Sequence, residues 1–329
     1  MCGIVGHVGP PSETGSSRSL TVLMDGLGRL EYRGYDSAGV APVGPSGLDV
    51  IKEAGKLSGL RAILEPTPPA PATAGIGHTR WATHGGPTTA NAHPHRAGHL
   101  AVVHNGIIEN FAELREQLEA RGHKFRSDTD TEVVSHLIEE AYRGNLRDAV
   151  AKACSQIVGT YGLAVICSQE PGRIVVTRKD SPIVLAHGEK GSYVASDIIA
   201  VIEASRDVTV LGDNEFAVME PDGISYTDAD GNPIQPKVMH VDWDVDVVEK
   251  GGYPDFMRKE IHEQPRVIRD TLAGRLTNGV LSIDELGMSL EQLRLIDRVY
   301  IMACGTSYHA GLIGPQLSEG WERIPIGFD

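Results

Sequence analysis

Apolar positions along this chain change their spacing twice, and each change marks a different kind of element. Ile4 and Val5 open an apolar start, after which Gly9-Pro10-Pro11-Ser12 and the small polar residues up to Ser19 predict a loop. Leu20, Leu23, Met24, Leu27 and Leu30 then recur at the spacing that lines one face of a helix. Pro66-Thr67-Pro68-Pro69-Ala70-Pro71 cannot supply the backbone donors of a helix or central strand and predicts an exposed excursion. Residues 100–103 read as a strand, Asn105-Gly106 as the turn after it, and Phe111, Leu114 and Leu118 as one face of a helix stopped by Gly122. Thr129 and Glu132 have the S/T-x-x-E spacing of a capping box, ahead of a helix carrying Val133, Val134, Leu137, Ile138 and Ala141. Another helix is expected over residues 146–157.

Short β-rich runs separated by turn residues follow at 161–167, 173–177, 183–186, 193–195, 208–211, 216–220 and 223–226. Strands and helices are grouped rather than alternating, so an α+β layered domain fits residues 2 to about 240 better than a doubly wound parallel sheet. Beyond Pro236 the pattern changes again. Residues 240–252 read as a linker, 256–264, 267–272 and 289–296 as helices, and 299–303 as an apolar strand running into Cys304-Gly305-Thr306-Ser307.

Composition narrows the class. With 329 residues and 41% hydrophobic content the chain can bury an ordinary core. The formal charge of −14 is spread without a basic cluster, which argues against nucleic acid or an anionic membrane as partner. No apolar run reaches the length of a membrane span and residues 1–30 lack the order of a secretory signal, so a cytoplasmic location is expected. Cys2, Cys154, Cys167 and Cys304 are far apart and suggest neither a disulfide framework nor a thiolate zinc site.

Four segments carry candidate chemistry. Removal of Met1 would leave Cys2 with a thiol and a free α-amine, a nucleophile and a general base on one residue; the plain alternative is a small packed hydrophobe. Gly77-His78-Thr79-Arg80-Trp81-Ala82-Thr83-His84-Gly85 places a guanidinium and two hydroxyls together, suited to a carboxylate. Asn105-Gly106 offers a side-chain amide and an unobstructed backbone N–H, the parts of an oxyanion hole. In Ser127-Asp128-Thr129-Asp130 a carboxylate ahead of a helix can pair with an ammonium group, or serve simply as a helix-start acid. Taken together these suit the side-chain amide of a free amino acid. Trp81 is open to a second reading as plain core. His78, His84, His93, His95, His99 and His104 are crowded, but no carboxylate or cysteine stands at matching spacing, so hydrogen-bonded structural histidines are expected rather than metal ligands.

Several of these segments resemble a known family in order along the chain: Met1-Cys2-Gly3-Ile4-Val5-Gly6, Leu30-Glu31-Tyr32-Arg33-Gly34-Tyr35-Asp36-Ser37, the His78–Gly85 stretch, Asn91-Ala92-His93-Pro94, His104-Asn105-Gly106-Ile107-Ile108-Glu109-Asn110 and Ser127-Asp128-Thr129-Asp130-Thr131-Glu132. They are similar to the glutaminase domain of the glutamine–fructose-6-phosphate aminotransferases, the glucosamine-6-phosphate synthases. The resemblance implies a four-layer αββα N-terminal-nucleophile fold of the class II glutamine amidotransferases for residues 2–240. It implies Cys2 as nucleophile, Asn105 and Gly106 as oxyanion hole, Arg80 and Thr83 on the glutamine carboxylate, and Asp130 on its ammonium. Trp81 corresponds to a gate for ammonia, while Arg33, His84 and His93 match residues around the same site. No metal or organic cofactor is implied, L-glutamine is the implied substrate, and a homodimer is a possible assembly.

The chain's end resembles the first sugar-phosphate loop of the family's isomerase domain, with Thr306 and Ser307 as the phosphate-holding hydroxyls. An ordinary strand-to-helix turn fits that stretch equally well. The expected organisation is a glutaminase domain at 2–240, a linker and helical segment at 241–298, and an incomplete α/β sugar-isomerase-type segment at 299–329. Gly314-Pro315 interrupts the helix that should follow the loop, and the rest of an aldose site is missing. This chain is therefore expected to release ammonia from glutamine, with fructose 6-phosphate as a partner only where a complete isomerase domain is supplied. Two rivals stand beside this reading: another N-terminal-cysteine amidotransferase, which the 30–37 and 304–309 segments argue against, and a non-catalytic regulatory or binding subunit.

Overall fold

Along the strand Leu100–Ile108, Leu100 and Val102 pack into one buried cluster while Ala101 and Val103 pack into another, so both faces of this strand are covered. Alternation of side chains across a strand is what makes this possible, and it requires a layer on each side. The computed structural model describes residues 2–10, 18–242, 253, 255–272, 275–277, 280–281, 287–303, 305–314 and 325–328. They fall into two units, Met1–Glu249 and Lys250–Asp329.

In the first unit the elements run β1 (Gly3–Val8), α1 (Arg18–Leu30), β2 (Ser37–Gly44), β3 (Gly47–Leu48), β4 (Ile51–Ala54), α2 (Leu57–Leu64), β5 (Ala74–Arg80), β6 (His95–Ala97), β7 (Leu100–Ile108), α3 (Phe111–Ala120), α4 (Glu132–Ala141) and α5 (Leu146–Cys154). They continue with β8 (Gly159–Cys167), β9 (Ile174–Lys179), β10 (Val184–Gly188), β11 (Gly191–Ala195), β12 (Asp207–Val210), β13 (Phe216–Glu220), β14 (Gly223–Thr227) and β15 (Val238–His240). A 9-stranded sheet has the order β15-β12-β10-β11-β1-β5-β2-β3, with β4 also on β2, and a 6-stranded sheet has the order β14-β13-β9-β8-β7-β6. The ladders within both are antiparallel.

The four layers follow from three buried clusters. Leu23, Leu27 and Leu30 of α1 and Leu57, Leu60 and Leu64 of α2 meet Val5, Ala38 and Val40 on the outer face of the larger sheet. Ile4, Val8, Ile76 and Val194 on its inner face meet Val103, Ala164, Ile166 and Val176 of the smaller sheet. On the outer face of the smaller sheet, Val102, Leu163 and Val165 pack under Leu114, Leu118, Val133, Leu137 and Val150 of α3 to α5. Burying one such aliphatic side chain contributes about 1.5–3 kcal/mol, so the helical faces hold the layers together. The result is the αββα arrangement expected for this region.

Several local expectations change. The ladder of β7 on β8 runs through Asn105↔Gly162 and Gly106↔Tyr161 to Ile108↔Gly159, so Asn105-Gly106 lies inside a strand and is not a turn. No capping box forms at Thr129: Thr131 precedes α4 without a side-chain cap, and the Glu132 carboxylate instead accepts from Arg126 N, Ser127 N and Ser127 Oγ. The sequence pattern does not mark strands β2 and β5, which are rich in glycine, a residue depleted in strands. A Cβ on Gly75 or Gly77 would stand 2.9 Å from Leu23 Cδ1 or Leu27 Cδ1, so these glycines let α1 lie close on the sheet.

In the second unit the helical stretches expected at 256–264 and 267–272 form one helix, Phe256–Leu272, with Pro265 inside it. Ser289 and Gln292 make a reciprocal capping box at the start of Leu290–Arg294. The strand expected at 299–303 forms as Val299–Ile301 and pairs in parallel with Ile326–Phe328. Helix Gly305–Gly311 lies between them in sequence and contains Thr306 and Ser307. Ser307 is exposed, while Cys304, the Thr306 side chain, Pro315 and residues 243–252 of the expected linker lie outside the described residues.

Candidate active site

Cys2 stands immediately before β1, which lies beside β5 with Gly3 opposite Thr79. This register brings the thiol to the end of β5, where Cys2 Sγ accepts from Trp81 N at 3.2 Å and lies 3.5 Å from Trp81 O. The thiol opens on a cavity of about 350 Å³ whose walls include Arg33, Arg80, Trp81, Thr83, His93, Asn105, Gly106 and Asp130. The structure thus gathers onto one cavity nearly all the residues singled out in the first unit. His84 is the exception: its ring packs on Phe111 with centroids 5.4 Å apart, and it serves the site through its carbonyl.

Burial pushes the Cys2 thiol above its ordinary value, and the Trp81 N–H and the positive charge of Arg80 offset only part of this. A thiol held protonated needs a base before it can attack. Met1, whose removal would free the α-amine for that role, lies outside the described residues.

Asn105 donates from Nδ2 to the Cys2 carbonyl oxygen at 3.1 Å. Its Oδ1 is 3.0 Å from His78 Nε2, which is also 3.1 Å from the His104 carbonyl oxygen. Both partners are acceptors, so His78 carries its hydrogen on Nε2. Burial drives its pKa down to about 3, which keeps the ring neutral. Gly106 has φ +135°, and a Cβ there would stand 2.1 Å from Thr160 O; only glycine fits. Beyond it, Ile108 N donates to Asp130 Oδ2 at 2.8 Å, which fixes the acid against β7 at the cavity wall.

Arg80 ends β5 and is buried. Its Nη1 donates to Gly86 O at 3.1 Å, and its Nη2 donates to the carbonyls of Gly85, at 3.1 Å, and His84. Three of the five guanidinium hydrogens therefore hold the 84–86 loop, which the sequence did not suggest. Asp36 Oδ2 accepts from Ala82 N at 2.8 Å and braces the adjoining loop that carries Trp81 and Thr83. Trp81 is 45% exposed and meets Tyr35 edge-on at 5.6 Å, so it is not core. Arg33 is paired with Asp197 at the cavity.

The buried histidines form a hydrogen-bonded layer under the cavity. His93 stacks on His78 with centroids 4.2 Å apart and accepts at Nδ1 from His104 N at 3.3 Å. His104 Nδ1 is 2.8 Å from Thr131 Oγ1, and His95 Nε2 is 3.1 Å from Thr129 Oγ1. Burial lowers the pKa of His93, His95 and His104. His104, Ile107, Thr131, Thr160, Ser181 and Pro182 also line the cavity and were given no site role from the sequence. His104 was legible beside Asn105; Ser181 and Pro182 arrive through chain folding and carry no local signal.

A family model described as a glutamine amidotransferase domain matches residues 78–203. The glutamine–fructose-6-phosphate aminotransferase (isomerizing) of Clostridium acetobutylicum is 45% identical over 332 residues, covering 100% of this chain and 54% of that protein. Those of Symbiobacterium thermophilum and Streptomyces coelicolor are 50% and 49% identical, covering 100% and 99% of this chain and 54% and 53% of theirs. The chain spans about half the length of the curated relatives it matches. Among solved structures, the allosteric regulatory enzyme of purine biosynthesis superposes with TM-score 0.59 at 25% identity, over 69% of this chain and 49% of that one. The glutamine phosphoribosylpyrophosphate amidotransferase from B. subtilis gives TM-score 0.62 at 20% identity, over 99% of this chain and 65% of that one, a likeness of fold.

Proposed function

We propose that this chain, which carries a glutamine amidotransferase domain and is homologous along its length to part of the glutamine–fructose-6-phosphate aminotransferases, hydrolyses the side-chain amide of L-glutamine through Cys2. The observation that carries this is the Cys2 thiol at a cavity that also holds the Asn105 amide, the Gly106 backbone, a guanidinium and a buried carboxylate. A free amino acid presents matching charges: Arg80, with Thr83, takes its carboxylate and Asp130 its ammonium.

The α-amine of a processed Cys2 takes the thiol proton, and the thiolate attacks the amide carbon. Charge collects on the amide oxygen, where Asn105 Nδ2–H and Gly106 N–H stabilise it. The C–N bond breaks as the nitrogen takes the proton and leaves as ammonia. Water then attacks the thioester, releasing glutamate and restoring the thiol. Trp81 lines the cavity beside Cys2 and is half-exposed, which supports its reading as a gate for ammonia.

The reading extends to fructose 6-phosphate as the ammonia acceptor, given a complete isomerase domain, with Thr306 and Ser307 as part of its phosphate site and a cytoplasmic homodimer as the setting. We place the glutaminase domain at residues 2–240. Among the described residues, no helix is long and apolar enough to cross a membrane. The rival reading as another N-terminal-cysteine amidotransferase is supported only by fold, whereas the aminotransferase relatives match at 45–50% identity. A glutaminase assay of the purified chain and of Cys2→Ala decides the matter: release of glutamate and ammonia is expected from the first and none from the second, with glutamine binding kept. Turnover by Cys2→Ala, or by protein that retains Met1 quantitatively, would refute the nucleophile or the base.

A further inference from the structure

Away from the cavity, the segment after α3 and helix α4 bring together three side chains with metal-binding atoms. His123 Nδ1 lies 3.0 Å from His136 Nδ1, and Glu139 Oε2 lies 3.7 Å from the first and 3.5 Å from the second. Among the described residues this is the group of three whose ligand atoms converge. Ligands at roughly 2.0–2.1 Å from a tetrahedral ion stand about 3.3–3.4 Å from one another, so the triangle is already close to the required size. We propose that His123, His136 and Glu139 bind a divalent transition ion of the zinc type, with the fourth position left to water.

The far nitrogens of the two rings point the same way. His123 Nε2 is 3.0 Å from Glu140 Oε1, which Arg121 Nε also contacts at 2.8 Å. His136 Nε2 is buried, has no hydrogen-bond partner and lies 3.8 Å from Glu132 Oε1. Two neutral rings sharing one hydrogen between their Nδ1 atoms leave one far nitrogen as a bare lone pair facing a carboxylate, whichever ring donates. A positive charge between the Nδ1 atoms removes the conflict, because both rings then carry hydrogen on Nε2 and direct it at a carboxylate. That is the arrangement by which ligand histidines are oriented. An extra proton could supply the charge but would use only the two nitrogens, whereas Glu139 Oε2 converges on the same point.

Arg96, Lys124 and Arg126 also line this recess, so it does not collect cations by charge alone. Imidazole donors favour zinc, copper or nickel over magnesium or calcium. Glu132 faces His136 and also accepts from Arg126 N and Ser127 N, so a bound ion would tie α4 to the segment leading to Asp130.

The full chain carrying Cys2→Ala, which removes the thiol at the cavity, is freed of metal and titrated with Co²⁺ and then Zn²⁺. One Co²⁺ per chain with the intense visible bands of four-coordinate cobalt, displaced by one Zn²⁺, is expected, together with a zinc-dependent rise in Tm. His123→Gln and Glu139→Gln should each weaken uptake at least tenfold. His240→Gln, at the separate cluster with Asp207 and Asp242, should leave it unchanged. No stoichiometric uptake, or uptake indifferent to His123→Gln and Glu139→Gln, overturns the proposal.

Discussion

His78 Nε2 lies 3.0 Å from Asn105 Oδ1, and this contact decides which end of the Asn105 amide faces Cys2. A neutral ring with its hydrogen on Nε2 can only donate, so Oδ1 is held toward His78 and Nδ2 toward the Cys2 carbonyl. His78 is a positioning residue for the oxyanion donor. Asn105→Ala should lower glutaminase kcat by about 10²–10³, and His78→Ala by roughly tenfold with a smaller change in KM. In the double variant the His78 change should add little, since the amide it orients is gone. A full additive loss would show that His78 acts by another route.

Arg80→Lys keeps the charge but loses the fork. An ammonium cannot hold the carbonyls of His84, Gly85 and Gly86 and a substrate carboxylate together. The KM for glutamine should rise by roughly tenfold or more, about 1.4 kcal/mol of binding. An unchanged KM in steady-state kinetics counts against the carboxylate contact.

Gly106→Ala tests the backbone of the site. The new Cβ would stand 2.1 Å from Thr160 O at φ +135°, where side chains are strained in any case. A loss of at least about 1–3 kcal/mol in urea unfolding is expected, with activity falling in any protein that folds. Wild-type stability and turnover would mean that β7 and β8 can part at no cost.

Stability should fall below about neutral pH. Burial lowers His7 to about 4 and His78 to about 3, so the unfolded chain takes up protons from near 6.5 downward while the folded chain does not. Their contribution is therefore complete above that value and is lost progressively as pH drops toward those folded values. Glu132 adds a second, more acidic window. Burial alone would raise its pKa, but the neighbouring His136 ring and hydrogen bonds from Ser127 and Arg126 bring it down to about 2 from an ordinary 4.5, so its contribution is lost as pH falls through that interval. Glu132→Gln should remove the lower window and cost roughly 1.5–3 kcal/mol at neutral pH. Urea midpoints that stay flat from pH 8 to pH 4 would contradict the histidine assignment.

The sequence by itself determined the strands from 159 to 227, the amphipathic α1 and α4, and the segments that carry Cys2, Arg80, Asn105 and Asp130, because side-chain periodicity and local chemistry are properties of neighbouring residues. Only the tertiary structure decided what those residues meet. Gly75 and Gly77 lie in a strand that the apolar pattern does not mark, because Leu23 and Leu27 of a distant helix need the space. Asn105-Gly106 reads as a turn yet continues a ladder, because β8 supplies partners past it. Glu132 has capping-box spacing yet bonds backward to Arg126 and Ser127. His78 and Asn105 meet because the larger and smaller sheets stack face to face, a contact between layers that no spacing along the chain encodes.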